Sequence, residues 1–362
     1  ISTDHGVVLL GGGDAERHYS DIYLMRWDSK TKQLSTVELG ALPEPCAFTC
    51  AARVGDTLYM AGGRRLPDEP AAMHTFWAFD LSELENNKLT ARELEPWPGS
   101  PRMLAAAGVQ SGSFFLVGGV DLEPTPEGGS ERVLLTDCYR YDPQDARWTR
   151  IADLPRPVIA APSPAMPLGQ SHFAVIGGDD GENSHRIEEL KDDHPGFPAD
   201  VLCYHTVTDT GVKAGECPKD TAAGLWPAVT ANTTWWTDSR GRRHSGSASG
   251  EARPGVRPPQ VVLARPAKLT QGFGPIDYGV LVIYLAALVA MGVYFSRREK
   301  STGDFFLGGH RIPWWAAGIS IFGTQLSAIT FMAVPAKAFH TDWLYFLGNM
   351  AIVAIAPIVV FL

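Results

Sequence analysis

Short apolar runs recur along the first 200 or so residues, and four of them end in paired glycines. They read VLLGGG (Gly12, Gly13), LYMAGG (Gly62, Gly63), FFLVGG (Gly118, Gly119) and FAVIGG (Gly177, Gly178). Downstream of each pair lies a short aromatic stretch: DIYLMRWD, TFWAFD, DCYRYD and DVLCYH. Three of these units then reach a leucine- or cysteine-proline step (Leu42-Pro43, Leu154-Pro155, Cys217-Pro218), and the second offers Trp97-Pro98. No 3.6-residue periodicity intervenes. β-Branched and aromatic runs punctuated by Gly and Pro, repeating every 50 to 60 residues or so, predict four-stranded β-units arranged as the blades of a propeller.

The repeat length and the glycine pairs make this a kelch-type, all-β propeller over residues 1–265. A strand end near a central channel leaves little room for a Cβ atom and calls for positive φ, which glycine supplies. A fifth unit begins near AVTANTTWW and is expected to end in another glycine pair. It reads SGEARPGVR instead (Ser249–Arg257), with Glu251 expected where the second glycine would stand. Six residues on, after a Pro254-Gly255 turn that could fold it back, comes Arg257. A carboxylate that breaks a repeat marks a candidate site; the plainer reading is a surface Glu–Arg pair worth about 0–1 kcal/mol. The stretch before it, TDSRGRRHSGSAS, is polar and strand-poor, which points to an insertion or a reading error. A last short strand is expected over Gln260 to Ala264.

The pattern changes after a Pro/Gly-rich linker at 266–275. Three apolar segments of spanning length follow, at 276–295, 312–334 and 343–362. Trp314, Trp315, Trp343 and Tyr345 sit at segment ends, as interfacial aromatic residues do. The middle segment carries FGTQLSAIT, with Gly323, Thr324, Gln325, Ser327 and Thr330 at its centre. Hydrogen-bonding side chains at bilayer depth face a bundle interior or a cavity and mark a substrate or ion path. Gly323 would let the helix open there and free carbonyl groups for a cation. Close helix–helix packing through small and polar residues is the competing explanation.

Charge separates the two parts. Pro266 to Leu362 holds six Lys/Arg against four Asp/Glu, out of 31 and 40 in the whole chain, so the propeller part is strongly acidic. That argues against a nucleic-acid partner. The loop after the first span holds Arg297, Arg298, Lys300 and Arg311, the next loop only Lys337. The positive-inside rule then puts the first loop in the cytoplasm and the propeller outside. Five cysteines (Cys46, Cys50, Cys138, Cys203, Cys217) match no zinc spacing; buried thiols are expected, with a Cys203–Cys217 disulfide as the alternative. The polar stretch after the fourth glycine pair, with His185, Arg186, Glu188 and His194, is a candidate rim of a binding mouth. No sialidase-type Asp box and no galactose-oxidase-type copper set is visible.

The segment SGEARPGVR resembles the signature of the sialic acid mutarotases, the kelch-type N-acetylneuraminate epimerases, and more particularly their cyclically permuted relatives. The resemblance implies a six-bladed type with about five blades present, a first blade being absent, and makes Glu251 and Arg257 the catalytic pair, with no cofactor. DFFLGGHRIPWW (Asp304 to Trp315) followed by GISIFGTQLSAITF resembles the sodium:solute symporters, whose fold is the inverted-repeat leucine-transporter type. That resemblance implies backbone ligands to Na+ from Gly323 and Leu326, and substrate contacts from Gln325, Ser327 and Thr330.

Together the two resemblances imply a sialic acid mutarotase fused to the truncated start of a sodium-driven sialic acid transporter. The partners implied are a small sugar acid and the lipid bilayer, in a bacterial inner membrane with the propeller on the periplasmic side. Three spans cannot alternate access alone, so the sequence is expected to be a piece of a longer protein. A non-catalytic carbohydrate-binding propeller or sensor, fused to a symporter for another sugar or organic acid, is the alternative.

Overall fold

A computed structural model describes residues 1–126, 129–219, 228–265, 274–297 and 313–325, together with residues 335, 343 and 347. The chain divides into two compact units, Ile1–Pro266 and Ala267–Leu362.

The first unit is a β-propeller of five antiparallel blades. The first blade orders Ser2–Thr3, Gly6–Leu10, Asp21–Asp28 and Gln33–Ala41. The second comprises Cys50–Val54, Thr57–Ala61, Phe76–Asp80 and Ala91–Leu94. Ala106–Gln110, Ser113–Val117, Cys138–Asp142 and Arg147–Ile151 make the third, from which the hairpin Val120–Pro124/Ser130–Leu134 stands out. The fourth contains Met166–Leu168, His172–Ile176, Asp200–His205 and Thr210–Glu216, and the fifth Thr233–Thr237, Arg243–Ala248 and Val261–Ala264. Short turns join the first strand of each blade to the second; Ser111-Gly112, both at positive φ (51° and 74°), is a two-residue hairpin turn of the kind that matches strand twist.

In the second, third and fourth blades the apolar triplets are second strands buried on both faces, the second and third being sandwiched between packed neighbours, while in the first blade Leu9 is exposed. Leu58 and Met60 pack toward the first blade with Val8, Ile22 and Leu24. Their alternates Tyr59 and Ala61 pack toward the third with Phe114, Leu116 and Tyr141. Phe115 and Val117 then meet Phe173, Val175, Leu202 and Tyr204 of the fourth. Aromatic rings concentrate between the second and third blades, where Phe76 lies 4.8 Å from Tyr141 and 4.8 Å from Trp148, centroid to centroid.

Two details of register differ from the sequence expectation. In the first blade the paired conformation belongs to Gly11 (φ 54°) and Gly12 (φ 105°), not to Gly12 and Gly13. In the fifth it belongs to Ser249 (φ 58°) and Gly250 (φ 110°), so Glu251 follows the pair and does not replace its second glycine. Three identical glycines, or a serine in the left-handed region, conceal the register from composition. The pair is needed because the next blade comes close. A Cβ at Gly62 would lie 2.2 Å from the Arg102 carbonyl oxygen, and one at Gly118 2.6 Å from that of Val158.

The polar stretch before the signature is a regular hairpin, Thr233–Thr237 paired with Arg243–Ala248, so neither an insertion nor a reading error is needed to account for it. Asp238 makes its turn: Oδ1 accepts from the Arg240 and Arg242 backbone N–H groups, and Oδ2 from Arg242 Nε at 2.7 Å. These bonds, Arg242's backbone N–H first, hold the Asp238 carboxyl below the usual range. The last strand, Val261–Ala264, falls where expected.

In the second unit, Pro275–Ser296 is a helix whose residues Pro275–Tyr294 are long and apolar enough to cross a membrane. A second helix covers Trp314–Gln325 and runs unbroken through Gly323. The expected opening at Gly323 is not seen within that helix: a helical glycine costs about 1 kcal/mol relative to alanine but does not itself break the backbone ladder. Leu326, Ser327 and Thr330 lie outside the described residues, as does most of the expected third span.

Candidate functional site

One end of the ring is stitched by main-chain atoms. The N–H of Leu104 donates to Phe48 O (2.8 Å), that of Ala160 to Leu104 O (2.7 Å), and that of Thr230 to Ala160 O (2.7 Å). These residues lead into the inner strands of the second to fifth blades, and all four have positive φ, between 50° and 61°. Beside each rung, the residue following the glycine pair forms an antiparallel bridge: Ala47 with Arg64, Met103 with Val120, Ile159 with Asp179, and Val229 with Glu251. Glu251 is therefore one member of a ring of equivalent positions around the channel mouth.

The Glu251 side chain is half-buried and held at both oxygens. Oε1 accepts the Gly255 N–H at 2.6 Å, and Oε2 accepts the Thr230 hydroxyl at 3.3 Å. Pro254 and Gly255 (φ 74°) occupy the centre of a turn closed by Val256 N–H to Arg253 O at 2.9 Å. Proline before a positive-φ glycine suits a type II turn, and this one aims an N–H at the carboxylate.

The turn does not bring Arg257 onto Glu251. Arg257 is exposed, and no salt bridge joins the two among the described residues. Arg253 instead pairs with Asp192, Nη2 to Oδ1 at 2.9 Å, and also donates to the Asp192 carbonyl. That pair ties the polar insertion after the fourth glycine pair to the signature loop. Within the insertion His194 is buried, and its Nδ1 accepts the Gly196 N–H at 3.1 Å, which leaves the ring proton on Nε2. Phe197, Ile159, Ala160 and Val229 form an apolar floor with Met103 and Val120. In the same ring Asp179 has its carboxyl pushed up by burial, against a hydrogen bond from the Gly181 N–H. His185, Arg186 and Glu188 lie on short helical turns away from these contacts, and Arg186 pairs with Glu189.

Thr230, Arg253 and Asp192 did not emerge from the sequence; a threonine just before an inner strand, at the spacing of Phe48 and Leu104, was the available signal. All five cysteines are free, four of them buried, so no Cys203–Cys217 disulfide is present. Among the described residues no group of three or more His, Cys, Asp or Glu is arranged to hold a metal ion.

Fold and site define a kelch-type β-propeller of five blades, followed by a unit that contains a membrane-length helix. No family model matches the chain. Over 87 residues it is 54% identical to the sodium/sialic acid symporter SiaT of Proteus mirabilis, a match that covers 24% of this chain and 18% of that protein. It is also 54% identical over 89 residues to the sodium/sialic acid symporter NanT of Aliivibrio fischeri, covering 25% of this chain and 18% of that one. Over 225 residues it is 23% identical to the N-acetylneuraminate epimerase of Haemophilus influenzae, 57% of this chain and 53% of that enzyme. A solved structure titled "Structure of YjhT" aligns with 65% of this chain and 69% of its own at a TM-score of 0.44 and 18% identity. The chain thus joins a stretch similar to epimerases to one similar to sodium/sialic acid symporters. It spans about half the length of the former and less than a fifth of the latter.

Proposed function

We propose that the propeller interconverts the anomers of N-acetylneuraminate, and that the apolar unit is the start of a sodium-driven symporter for the same sugar acid. The observation that supports the enzyme reading best is the Glu251 carboxylate, oriented by the Gly255 N–H and the Thr230 hydroxyl at a blade end facing the mouth. Mutarotation needs one group that can take and return a proton. Glu251 removes the proton of the anomeric hydroxyl, the bond from the anomeric carbon to the ring oxygen breaks, and the ring oxygen is protonated. The resulting ketone rotates, and the same steps in reverse close the ring on its other face. Arg257, exposed just after the turn, is the other residue of the signature and the proposed partner of Glu251 in catalysis.

In the membrane unit, Gly323 and Leu326 would give carbonyl oxygens to Na+, while Gln325, Ser327 and Thr330 face the substrate. A match of 87 residues fits within the second unit, Ala267–Leu362, which supports this assignment. The excess of Lys and Arg after the first span supports a propeller on the outer side of the cell membrane, ahead of the importer.

The reading is tested by proton NMR on freshly released α-N-acetylneuraminate, with the full chain in detergent and its Glu251→Gln variant. Acceleration by the wild type that the variant loses is the expected result; no acceleration above the spontaneous rate refutes catalysis. The separation of Arg257 from Glu251 favours a second reading, a sugar-binding propeller without catalysis. Under it the variant loses affinity and neither protein changes the rate.

A further inference from the structure

The position after the glycine pair is equivalent from the second blade to the fifth. Each such residue donates its N–H to the loop leading into its blade's inner strand: Arg64 to Ala47 O at 2.8 Å, Val120 to Met103 O at 2.9 Å, Asp179 to Ile159 O at 2.8 Å, Glu251 to Val229 O at 2.8 Å. Each also accepts a return bond of 2.9–3.0 Å. The frame therefore presents two carboxylates and a single guanidinium at matched places around one mouth.

That guanidinium is unlike the two other arginines packed against glycine pairs. Arg102 directs its nitrogens to Gly118 O, Asp137 O, Ser100 O and Asp137 Oδ2. Arg156 is taken up by Asp200 Oδ2 and by the carbonyls of Pro157, Gly177 and Gly178. Arg64 is half-buried, and only its Nε is engaged, donating to Glu69 O at 2.8 Å. Both Nη atoms are without a protein partner among the described residues. The backbone beneath is fixed, since His18 Nδ1 lies 2.9 Å from the Arg64 carbonyl oxygen and His18 is itself buried. A guanidinium anchored through Nε, with its Nη edge unused, is a preformed fork for a carboxylate.

We infer that Arg64 is the fixed receptor for the carboxylate of the anionic sugar whose anomeric centre Glu251 serves. The inference rests on the reading above and adds a binding residue that the signature does not contain. In a 2-keto sugar acid the carboxylate and the anomeric hydroxyl share one carbon. A cation from the second blade and a base from the fifth therefore hold that carbon from two sides. Separating them by blades also keeps Arg64 from neutralising Glu251 directly, which a salt bridge would do.

The test measures affinity of the full chain in detergent for N-acetylneuraminate and for its methyl ester, in which the carboxylate charge is gone. Wild type is expected to prefer the acid by roughly 10- to 100-fold, the range of a hydrogen bond to a charged group. Arg64→Ala should bind acid and ester alike, and Arg64→Lys should restore part of the preference with an unfolding midpoint equal to wild type. A wild-type preference that survives in Arg64→Ala, or is lost only in Arg257→Ala, overturns the inference, as does a wild type with no preference. Anomer exchange followed on the same samples keeps the two claims apart. Acid preference through Arg64 without any rate acceleration retains the anion site and removes the mutarotase reading. Acceleration with preference unchanged in Arg64→Ala does the reverse.

Discussion

Thr230 and Glu251 meet through side chains as well as through the strand they flank: the threonine hydroxyl lies 3.3 Å from Oε2, while Val229, its neighbour, bridges the Glu251 backbone. The residue that completes the inter-blade ladder thus also orients the candidate base. Thr230→Ala is expected to slow anomer exchange by about tenfold, the worth of one hydrogen bond to a charged group. Thr230→Ser keeps the donor and should retain most of the rate. Exchange rates from NMR line intensities check both.

The glycine pairs give a stability prediction of opposite sign at two sites. Gly62→Ala places a Cβ 2.2 Å from Arg102 O at φ 63°, and is expected to lose about 1–3 kcal/mol from the backbone alone. Ser249→Gly relieves a left-handed serine at φ 58° and is expected to gain up to about 1 kcal/mol. Denaturant midpoints decide. A stabilising Gly62→Ala would show that the register assigned to the pairs is wrong.

Arg102 is 0% exposed and pairs with Asp137, itself 18% exposed, at 2.8 Å. Burial pushes the Asp137 carboxyl up, but hydrogen bonds from Arg102 and Tyr139 outweigh it and hold the group below the usual range. Arg102→Met leaves that carboxylate buried without its cation, and is expected to cost about 3–5 kcal/mol. Adding Asp137→Asn should recover part of the loss, since the remaining charge is then removed. Urea unfolding of the single and double variants measures the coupling.

Two imidazoles in the fourth blade, His172 and His205, stack with centroids 4.1 Å apart. Burial first, then the charge of His205, lowers the His172 pKa from its ordinary 6.5. Between the folded and unfolded values the unfolded chain binds more protons, so stability is expected to fall as pH drops below about 6.5. His172→Gln should flatten that part of the profile. Melting temperature recorded from pH 7.5 to 5.5, on the order of one unit either side of the histidine range, tests it.

The thiols offer a further check. Burial pushes Cys46, Cys50 and Cys138 up to about 12, so little thiolate is present at neutral pH. In the native chain these three should resist a thiol-specific reagent, and Cys217, the one cysteine that is not buried, should react first. Unfolding should release all five. Rapid native labelling of Cys50 would contradict the packing between the second and third blades.

Much of the propeller could be read from residue order because its second strands are apolar on both faces and their ends need positive φ, two demands that leave visible letters. The aromatic strands Asp21–Asp28, Cys138–Asp142 and Asp200–His205 fall where the repeats place them. What could not be read depends on conformations or main-chain bonds that many residues satisfy. Ser249 adopts a glycine's dihedral angles, so the fifth pair is displaced by one residue from its apparent place. The hairpin at 233–248 shows its aromatic signal only in Trp235 and Trp236; its returning strand, Arg243–Ala248, is mostly polar or small, with the register set by backbone pairing and the Asp238 turn. Glu251 stood out as a departure, whereas its contacts to Thr230 and Gly255 and the tie from Arg253 to Asp192 come from turn geometry alone.

Across the blades, the atoms that lock one sheet to the next at the mouth belong to the main chain. Leu104, Ala160 and Thr230 donate N–H groups to the preceding blade, and within each blade Arg64, Val120, Asp179 and Glu251 bridge through N–H and C=O. At those bridging positions the side chains differ in charge and size while the main-chain bonds stay the same. Substitution at the three that are not in the core, Arg64, Asp179 and Glu251, can therefore exchange charge and chemistry while the bridging bonds are kept, which makes the mouth an interchangeable palette on a constant scaffold. New ligand preferences can arise on it by a few codon changes while the architecture stays intact.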